Sequence, residues 1–415
     1  MITKFNADSL VGNIELPSSK SISNRVLMIR ALCDHAFAIE NLSTANDTVL
    51  LNQLLLKIKR SKESTSLEIE DAGTPFRLLT AFCAIQEGRE FTLSGSERMK
   101  QRPIQELVEA LQALGADITY LDKFGFPNLL IKGKRLKGGQ ITISGKTSSQ
   151  FISALCLIAP LLEDGLSICI IDEIVSDAYI QMTLDIMSEF GILYSRKNQV
   201  ITIPHQDYIP RDYAIENDWS SATFFYAMAF LSNNVDIKMK GLYENSFQGD
   251  SSIKNIAEQF GIRTQFHNDL CIIKRMSPIA EINSQIFNFL SHPDLAIPLI
   301  VAFAIQYPNI QISGIHHLEL KESNRIHALQ TQLSKIGIHL EYANNLLSFQ
   351  KELEKEYLNQ VIHFESFSDH RIVMSLTLLA IKGYQIKFDN NTCVKKSFPN
   401  FFQQIERLGF QQIAQ

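Results

Sequence analysis

"PSSKSISNR", Pro17–Arg25, sets four serines, a lysine and an arginine in front of the apolar run Val26-Leu27-Met28-Ile29 and includes no acid of its own. Small polar residues that launch an apolar helix recur at "AGTPFRLL", "SSQFISAL", "SSATFFYAM", "PDLAIPLI" and "SDHRIVMSL". With Ser18 as the first, these starts fall at 18, 72, 148, 220, 293 and 368, at intervals of 54, 76, 72, 73 and 75 residues. A second marker, an amphipathic helix closed by glycine and followed by an alternating strand, stands at Gly115, Gly191, Gly261 and Gly337, with a shorter form at Gly409. Its intervals are 76, 70, 76 and 72. Irregular helix starts occur in any α/β protein, but two independent series with one period mark an internal repeat. The period is too long for a solenoid and suits a small α/β unit of two helices and several strands. Six such units fit the chain.

The 415 residues suffice for two or three domains. A formal net charge of −5 argues against a general nucleic-acid binder, so any bound anion must meet local cations. The six cysteines (33, 83, 156, 169, 271, 393) form no C-x-x-C pair and read as reduced thiols of a cytosolic protein. The N-terminal stretch has no apolar signal-like core. The apolar runs near 151–162 and 296–305 are shorter than the roughly 20 residues of a membrane span and read as buried helices. The stretch "KIKRSKESTS", 57–66, reads as a solvated turn.

A helix N-terminus offers free N–H groups and the positive end of the helix dipole, and so suits an anion. Serine or aspartate there is commonly only a cap. Several of these starts add more: Lys20 and Arg25 at the first, Arg77 behind Gly73-Thr74-Pro75, Gln150 behind Ser148-Ser149, and Arg371 behind Asp369-His370. Further cations lie at Arg102, at Lys321 and Arg325, read as one face of a helix with Glu322 able to pair with Arg325, and at Lys395-Lys396. His316-His317 is adjacent rather than spaced for two ligands on one helix face, and no nucleotide-loop, nucleophile-elbow or dinucleotide fingerprint is found. The residues alone thus point to a two-domain α/β enzyme with a pocket for small, multiply anionic substrates, with Asp294 and Glu322 as its acids.

"LPSSKSISNR", "DAGTPFRLL", "RMKQRPI", "SSQFISAL", "LKESNRI", "SDHRIVMSL" and "KKSFPNFF", in this order along essentially the whole chain, resemble the 5-enolpyruvylshikimate-3-phosphate synthase (3-phosphoshikimate 1-carboxyvinyltransferase) family. The resemblance implies an inverse α/β barrel of the enolpyruvyl transferase type: two similar globular domains, each of three βαβαββ units. The domains would be 19–216 and 1–18 plus 217–415, with the active site in the cleft between them. It implies transfer of the enolpyruvyl group of phosphoenolpyruvate to the 5-hydroxyl of shikimate 3-phosphate with release of phosphate, a step of the shikimate pathway to chorismate and the aromatic amino acids. Glyphosate competes with phosphoenolpyruvate in this family. Cofactors and metals are not implied. The small molecules are the partners, with no nucleic acid and no membrane, and the chain is expected to be a cytoplasmic monomer.

Residue by residue, the resemblance implies that Lys20, Ser21, Arg25, Ser148, Ser149, Gln150, Ser176, Asp294, His317 and Lys321 hold shikimate 3-phosphate. Lys20, Gly73, Arg102, Gln150, Arg325, Arg371 and Lys396 would hold phosphoenolpyruvate. Catalysis would fall to Asp294, Glu322 and Lys20. Asp294 would take the 5-hydroxyl proton and Glu322 would handle the proton at C3, two roles that the resemblance leaves open to exchange. The chain departs from the family pattern at Asp71, Asn324 and His317 and at Asp177-Ala178. The related transferase acting on UDP-N-acetylglucosamine has a cysteine in the loop that reads "GSERMKQRP" here, where none is present. A catalytically silent anion-binding protein would not need Lys20, Asp294, Glu322, Arg325 and Lys396 together.

Overall fold

Each small-polar start opens a helix in the computed structural model, which describes residues 1–61, 64–279, 284–351 and 360–413. The six helices are Lys20–Leu32, Gly73–Ala84, Ser149–Ile158, Trp219–Leu231, Pro293–Gln306 and His370–Thr377. Four have the side-chain cap that the sequence pattern suggests: Ser19, Ser148, Asp218 and Asp369 each accept a backbone N–H of the first turn. Helix Pro293–Gln306 instead starts on a proline, whose fixed φ suits that position. The glycine-closed helices are Gln105–Ala113, Asp177–Glu189, Ile253–Glu258, Arg325–Ser334 and Phe401–Glu406. Gly115, Gly191, Gly261, Gly337 and Gly409, just beyond them, have φ between +71° and +100°. Glycine takes that left-handed turn without the cost a Cβ would add, so the chain can reverse into the next strand.

The strands close the repeat. Thr65–Glu68 and Glu90–Ser94 pair in parallel around helix Gly73–Ala84. Helix Gln105–Ala113 then leads into the hairpin Asp117–Tyr120/Leu129–Lys132, whose second strand pairs antiparallel with Glu90–Ser94. Among the described residues the same order of first, second, fourth and third strand recurs in four four-stranded sheets, and in a fifth Ile2–Phe5 takes the place of the fourth strand. Two of them draw a strand from the N-terminus: Leu10–Ile14 pairs with Val235–Lys240, and Ile2–Phe5 with Phe410–Ile413. The first unit is reduced. Among the described residues its sheet has only the parallel pair Ile39–Glu40 and Tyr213–Ala214. Asn41, at φ +53°, turns the chain out of the extended run, and the first interval, 54 residues, lacks room for a hairpin.

The chain divides into two compact units, Met1–Pro17 with Glu216–Gln415, and Ser18–Ile215. In the first, helix Pro293–Gln306 packs against both Trp219–Leu231 and His370–Thr377, and all three are buried on almost every side. In the second, Lys20–Leu32, Gly73–Ala84 and Ser149–Ile158 pack on one another and are likewise largely buried. The sheets alternate buried and less buried residues, as in Thr65–Glu68 and Val200–Ile203, and so turn one face outward. Helices inside and sheets outside make the inverse α/β arrangement. Helices as apolar all round as Ser149–Ile158, Trp219–Leu231 and Pro293–Gln306 are stable only in such a position. The 57–66 stretch is not a turn throughout: its first four residues end helix Asn46–Arg60 and its last two begin Thr65–Glu68, while 62–63 lie outside the described residues. The six cysteines are free. Among the described residues no helix is long and apolar enough to cross a membrane.

Candidate active site

In the unit Ser18–Ile215, the geometry joins Arg25 to Ser21, Arg77 and Arg102 to the Gly73 turn, and Gln150 to Ser148 and Thr74. Lys20 is the first residue of its helix and is not without an acid: its Nζ lies 3.3 Å from Oδ2 of Asp47, which the sequence reading missed. Asp47 stands in the first turn of helix Asn46–Arg60, far enough along the chain to escape a local motif. Arg25 is buried and makes no ion pair among the described residues. Its guanidinium donates to Thr183 Oγ1 (2.7 Å), to the carbonyls of Ser21 (2.9 Å) and Tyr179 (3.0 Å), and to Ser153 Oγ (3.4 Å). Burial pushes its pKa down to about 10, so it remains a cation at neutral pH.

Gly73 starts its helix beneath two guanidinium groups. A Cβ there would collide with Arg102 Nη1 and lie 2.6 Å from Arg77 Nη1. Arg77 donates to the Gly73 carbonyl at 2.8 Å, while Gln150 Nε2 donates to Thr74 Oγ1 at 3.0 Å. Gln150 Oε1 is buried without a hydrogen-bond partner among the described residues. Ser148 accepts from the Gln150 amide. Ser176, buried and at φ +60°, precedes helix Asp177–Glu189. Asp71 accepts a short hydrogen bond from Ser96 Oγ, and Asp177 pairs with Arg196.

In the other unit both candidate acids, and the buried Asp369, meet a cation. Arg371 Nη2 lies 2.8 Å from Asp294 Oδ2. Glu322 Oε2 lies 2.8 Å from Arg325 Nη2, and its Oε1 lies 3.8 Å from Lys396 Nζ. Arg325 Nε is 2.8 Å from Oδ2 of the fully buried Asp369. Ser323 Oγ donates to that same oxygen at 3.0 Å. Burial alone would lower the pKa of Arg325, but Asp369 and Glu322 outweigh it and hold the pKa above its usual value. Lys321 and Arg325 do not share a helix face. Lys321 follows the 3₁₀ turn His316–Leu320, and the helix begins only at Arg325, behind Asn324, whose side chain accepts from the His327 amide. Asparagine caps as well as aspartate does, which accounts for that departure from the family pattern.

His317 is buried, and neither ring nitrogen has a partner among the described residues. Burial, then the charges of Lys321 and His316, push its pKa down to about 3. Burial and the neighbouring Asp294 push Asp250 up to about 7, against the hydrogen bond that Ser220 donates to it. These two groups tilt stability in opposite directions. The folded chain binds fewer protons than the unfolded chain at His317 between pH about 3 and its ordinary 6.5, so stability is lost as pH falls through that window. At Asp250 the folded chain binds more between its ordinary 3.8 and about 7, so stability is lost as pH rises there. In melting experiments, the advantage of His317→Gln over the parent should grow from pH 7 down to 4. That of Asp250→Asn should grow from pH 4 up to 8. Differences independent of pH would contradict the assignment.

Asp47, Asp369, Thr74, Thr183 and Ser153 are the polar neighbours that the sequence reading did not single out as site residues. Asp369 had the strongest signal, an acid directly before His370-Arg371 at a helix start. No cluster of three or more metal-type side chains capable of holding an ion is found among the described residues.

The model of the EPSP synthase (3-phosphoshikimate 1-carboxyvinyltransferase) family matches residues 6–405. The chain is 37% identical to the 3-phosphoshikimate 1-carboxyvinyltransferase of Bacteroides fragilis strain YCH46 over 399 residues, 96% of this chain and 95% of that protein. It is 34% identical to the protein of that name from Haemophilus influenzae strain PittEE, covering 98% of both. Among solved structures, an EPSP synthase from Acinetobacter baumannii superposes with a TM-score of 0.78 over 99% of each chain at 20% identity, a likeness of fold.

Proposed function

The chain belongs to the EPSP synthase family, and from that membership we propose that it transfers the enolpyruvyl group of phosphoenolpyruvate to the 5-hydroxyl of shikimate 3-phosphate, releasing phosphate. The observation that carries the reading is the pairing of both candidate acids with candidate phosphoenolpyruvate cations: Asp294 with Arg371, and Glu322 with Arg325 and Lys396. Each acid sits beside a charge that an anionic substrate would claim. When the substrate takes the cation, the carboxylate is freed for proton transfer next to the bound anion.

In the proposed reaction Asp294 accepts the 5-hydroxyl proton as that oxygen bonds to C2 of phosphoenolpyruvate. Glu322 delivers a proton to C3, giving a tetrahedral intermediate. Loss of a proton from C3 and of phosphate from C2 then restores the double bond. Proton transfer by a placed carboxylate and stabilisation of the leaving phosphate by placed cations are the two contributions needed. Ser21, Ser148, Ser149, Gln150, Ser176, Arg25, His317 and Lys321 are assigned to shikimate 3-phosphate. Arg102, Arg325, Arg371, Lys396 and the Gly73 backbone are assigned to phosphoenolpyruvate, Lys20 and Gln150 to both, and Asp294 also to shikimate 3-phosphate. The chain is further read as a cytoplasmic monomer that needs no cofactor. Phosphate release should require both substrates and survive a chelator. Release with UDP-N-acetylglucosamine in place of shikimate 3-phosphate would overturn the substrate assignment.

Gly73 carries a separate expectation. A methyl group there meets Arg102 and Arg77 before any ligand, so Arg102, whose guanidinium lies closest, must move. Gly73→Ala should therefore raise the KM for phosphoenolpyruvate and weaken glyphosate more, because the inhibitor is longer and tolerates less displacement. The check is inhibition against varied phosphoenolpyruvate for the parent, Gly73→Ala and Asp71→Asn. A tolerant parent made sensitive by Asp71→Asn would assign control to the Asp71 carboxylate instead.

A further inference from the structure

Helix Pro293–Gln306 has a second proline in its interior, Pro298. Proline has no N–H, so the carbonyl four residues earlier, that of Asp294, cannot receive the usual helical bond from position 298. Arg371 reaches this carbonyl from helix His370–Thr377: Nη1 donates to it at 3.1 Å, while Nη2 meets the Asp294 carboxylate at 2.8 Å. One residue therefore engages both terminal nitrogens of the guanidinium. A planar guanidinium held at two nitrogens is fixed in orientation, and its remaining N–H groups point in set directions. The proline is costly where it stands, since within a helix interior it is the least favourable of the residues. It is also past the first turn, where proline is ordinarily accommodated.

We infer that Pro298 is a positioning residue. By withholding a helical N–H from the Asp294 carbonyl, it leaves that oxygen to Arg371 and so orients the guanidinium for phosphoenolpyruvate, the substrate to which Arg371 is assigned above. The inference rests on the activity proposed above. Restoring an amide at 298 gives the carbonyl a second donor along the helix axis and loosens one of the two anchors. A side chain that merely fills space would not act through the backbone N–H, so alanine and leucine, which both restore it, should behave alike.

The test is steady-state phosphate release by the parent, Pro298→Ala and Pro298→Leu, with melting temperatures measured alongside. Both variants should melt no lower than the parent, because a helix-compatible residue replaces proline. The KM for phosphoenolpyruvate should rise about three- to tenfold, the scale of a weakened hydrogen bond from a charged group. The kcat and the KM for shikimate 3-phosphate should stay within about twofold, since only binding of one substrate is touched. An unchanged KM for phosphoenolpyruvate in both variants overturns the inference. So does a lowered melting temperature with all constants worsened together, which would make Pro298 a packing residue. A parent that releases no phosphate sinks the activity itself, a result distinct from parent turnover with unaltered variants.

Discussion

Replacing Glu322 with glutamine should cut phosphate release about 10²- to 10⁴-fold, the usual cost of removing a general acid or base. Glutamine keeps the length and shape of the side chain and can still accept from Arg325, so the local packing survives. It loses the ability to carry a proton. The charge change acts on binding in the other direction. Glu322 now lies 2.8 Å from Arg325 and 3.8 Å from Lys396, and neutralises part of both. Without it the two cations are more available, so phosphoenolpyruvate should bind as well as or better than to the parent, while shikimate 3-phosphate affinity changes little. Low turnover with undiminished affinity separates a proton-transfer role from a structural one. Near-parental turnover would exclude Glu322 from the chemistry.

Helix starts and helix ends were legible because each rests on local chemistry: a hydroxyl or carboxylate that caps, and a glycine that turns left-handed. Ser148 and Gly191 are read from their neighbours alone. The full repeat was less legible. A period counts residues, and cannot show that the first unit spends its chain on Lys20–Leu32 and Asn46–Arg60 and retains only a two-residue strand pair. Counterions were the least legible part. Lys20 meets Asp47 after 27 residues and Arg325 meets Asp369 after 44, distances along the chain over which no motif ties cation to acid. Lys321 and Arg325 misled for the reverse reason. A spacing of four implies a shared face only if the helix has already begun, and it begins at Arg325.

Asp369→Ala should destabilise the unit formed by Met1–Pro17 and Glu216–Gln415 by about 3–5 kcal/mol, the typical cost of removing one partner from a buried ion pair. Asp369 is fully buried and Arg325 nearly so, with Nε 2.8 Å from Oδ2 and Nη2 3.3 Å from Oδ1. The same carboxylate accepts from Ser323 Oγ and from the Arg371 amide, so it also caps helix His370–Thr377. Asparagine separates these roles. It caps about as well as aspartate but has no charge, and a lost cap alone costs only about 0.5–2 kcal/mol. If burying Arg325 is the main task of Asp369, Asp369→Asn should lose most of what Asp369→Ala loses, and the unfolding of Ser18–Ile215 should be unaffected by either. Urea unfolding followed at Trp219, the single tryptophan and a residue of the affected unit, reads the first expectation, and far-UV circular dichroism, to which the helices of Ser18–Ile215 contribute, reads the second. An asparagine variant as stable as the parent would reduce Asp369 to a cap, and Glu322 would then be the acid that holds Arg325 in place.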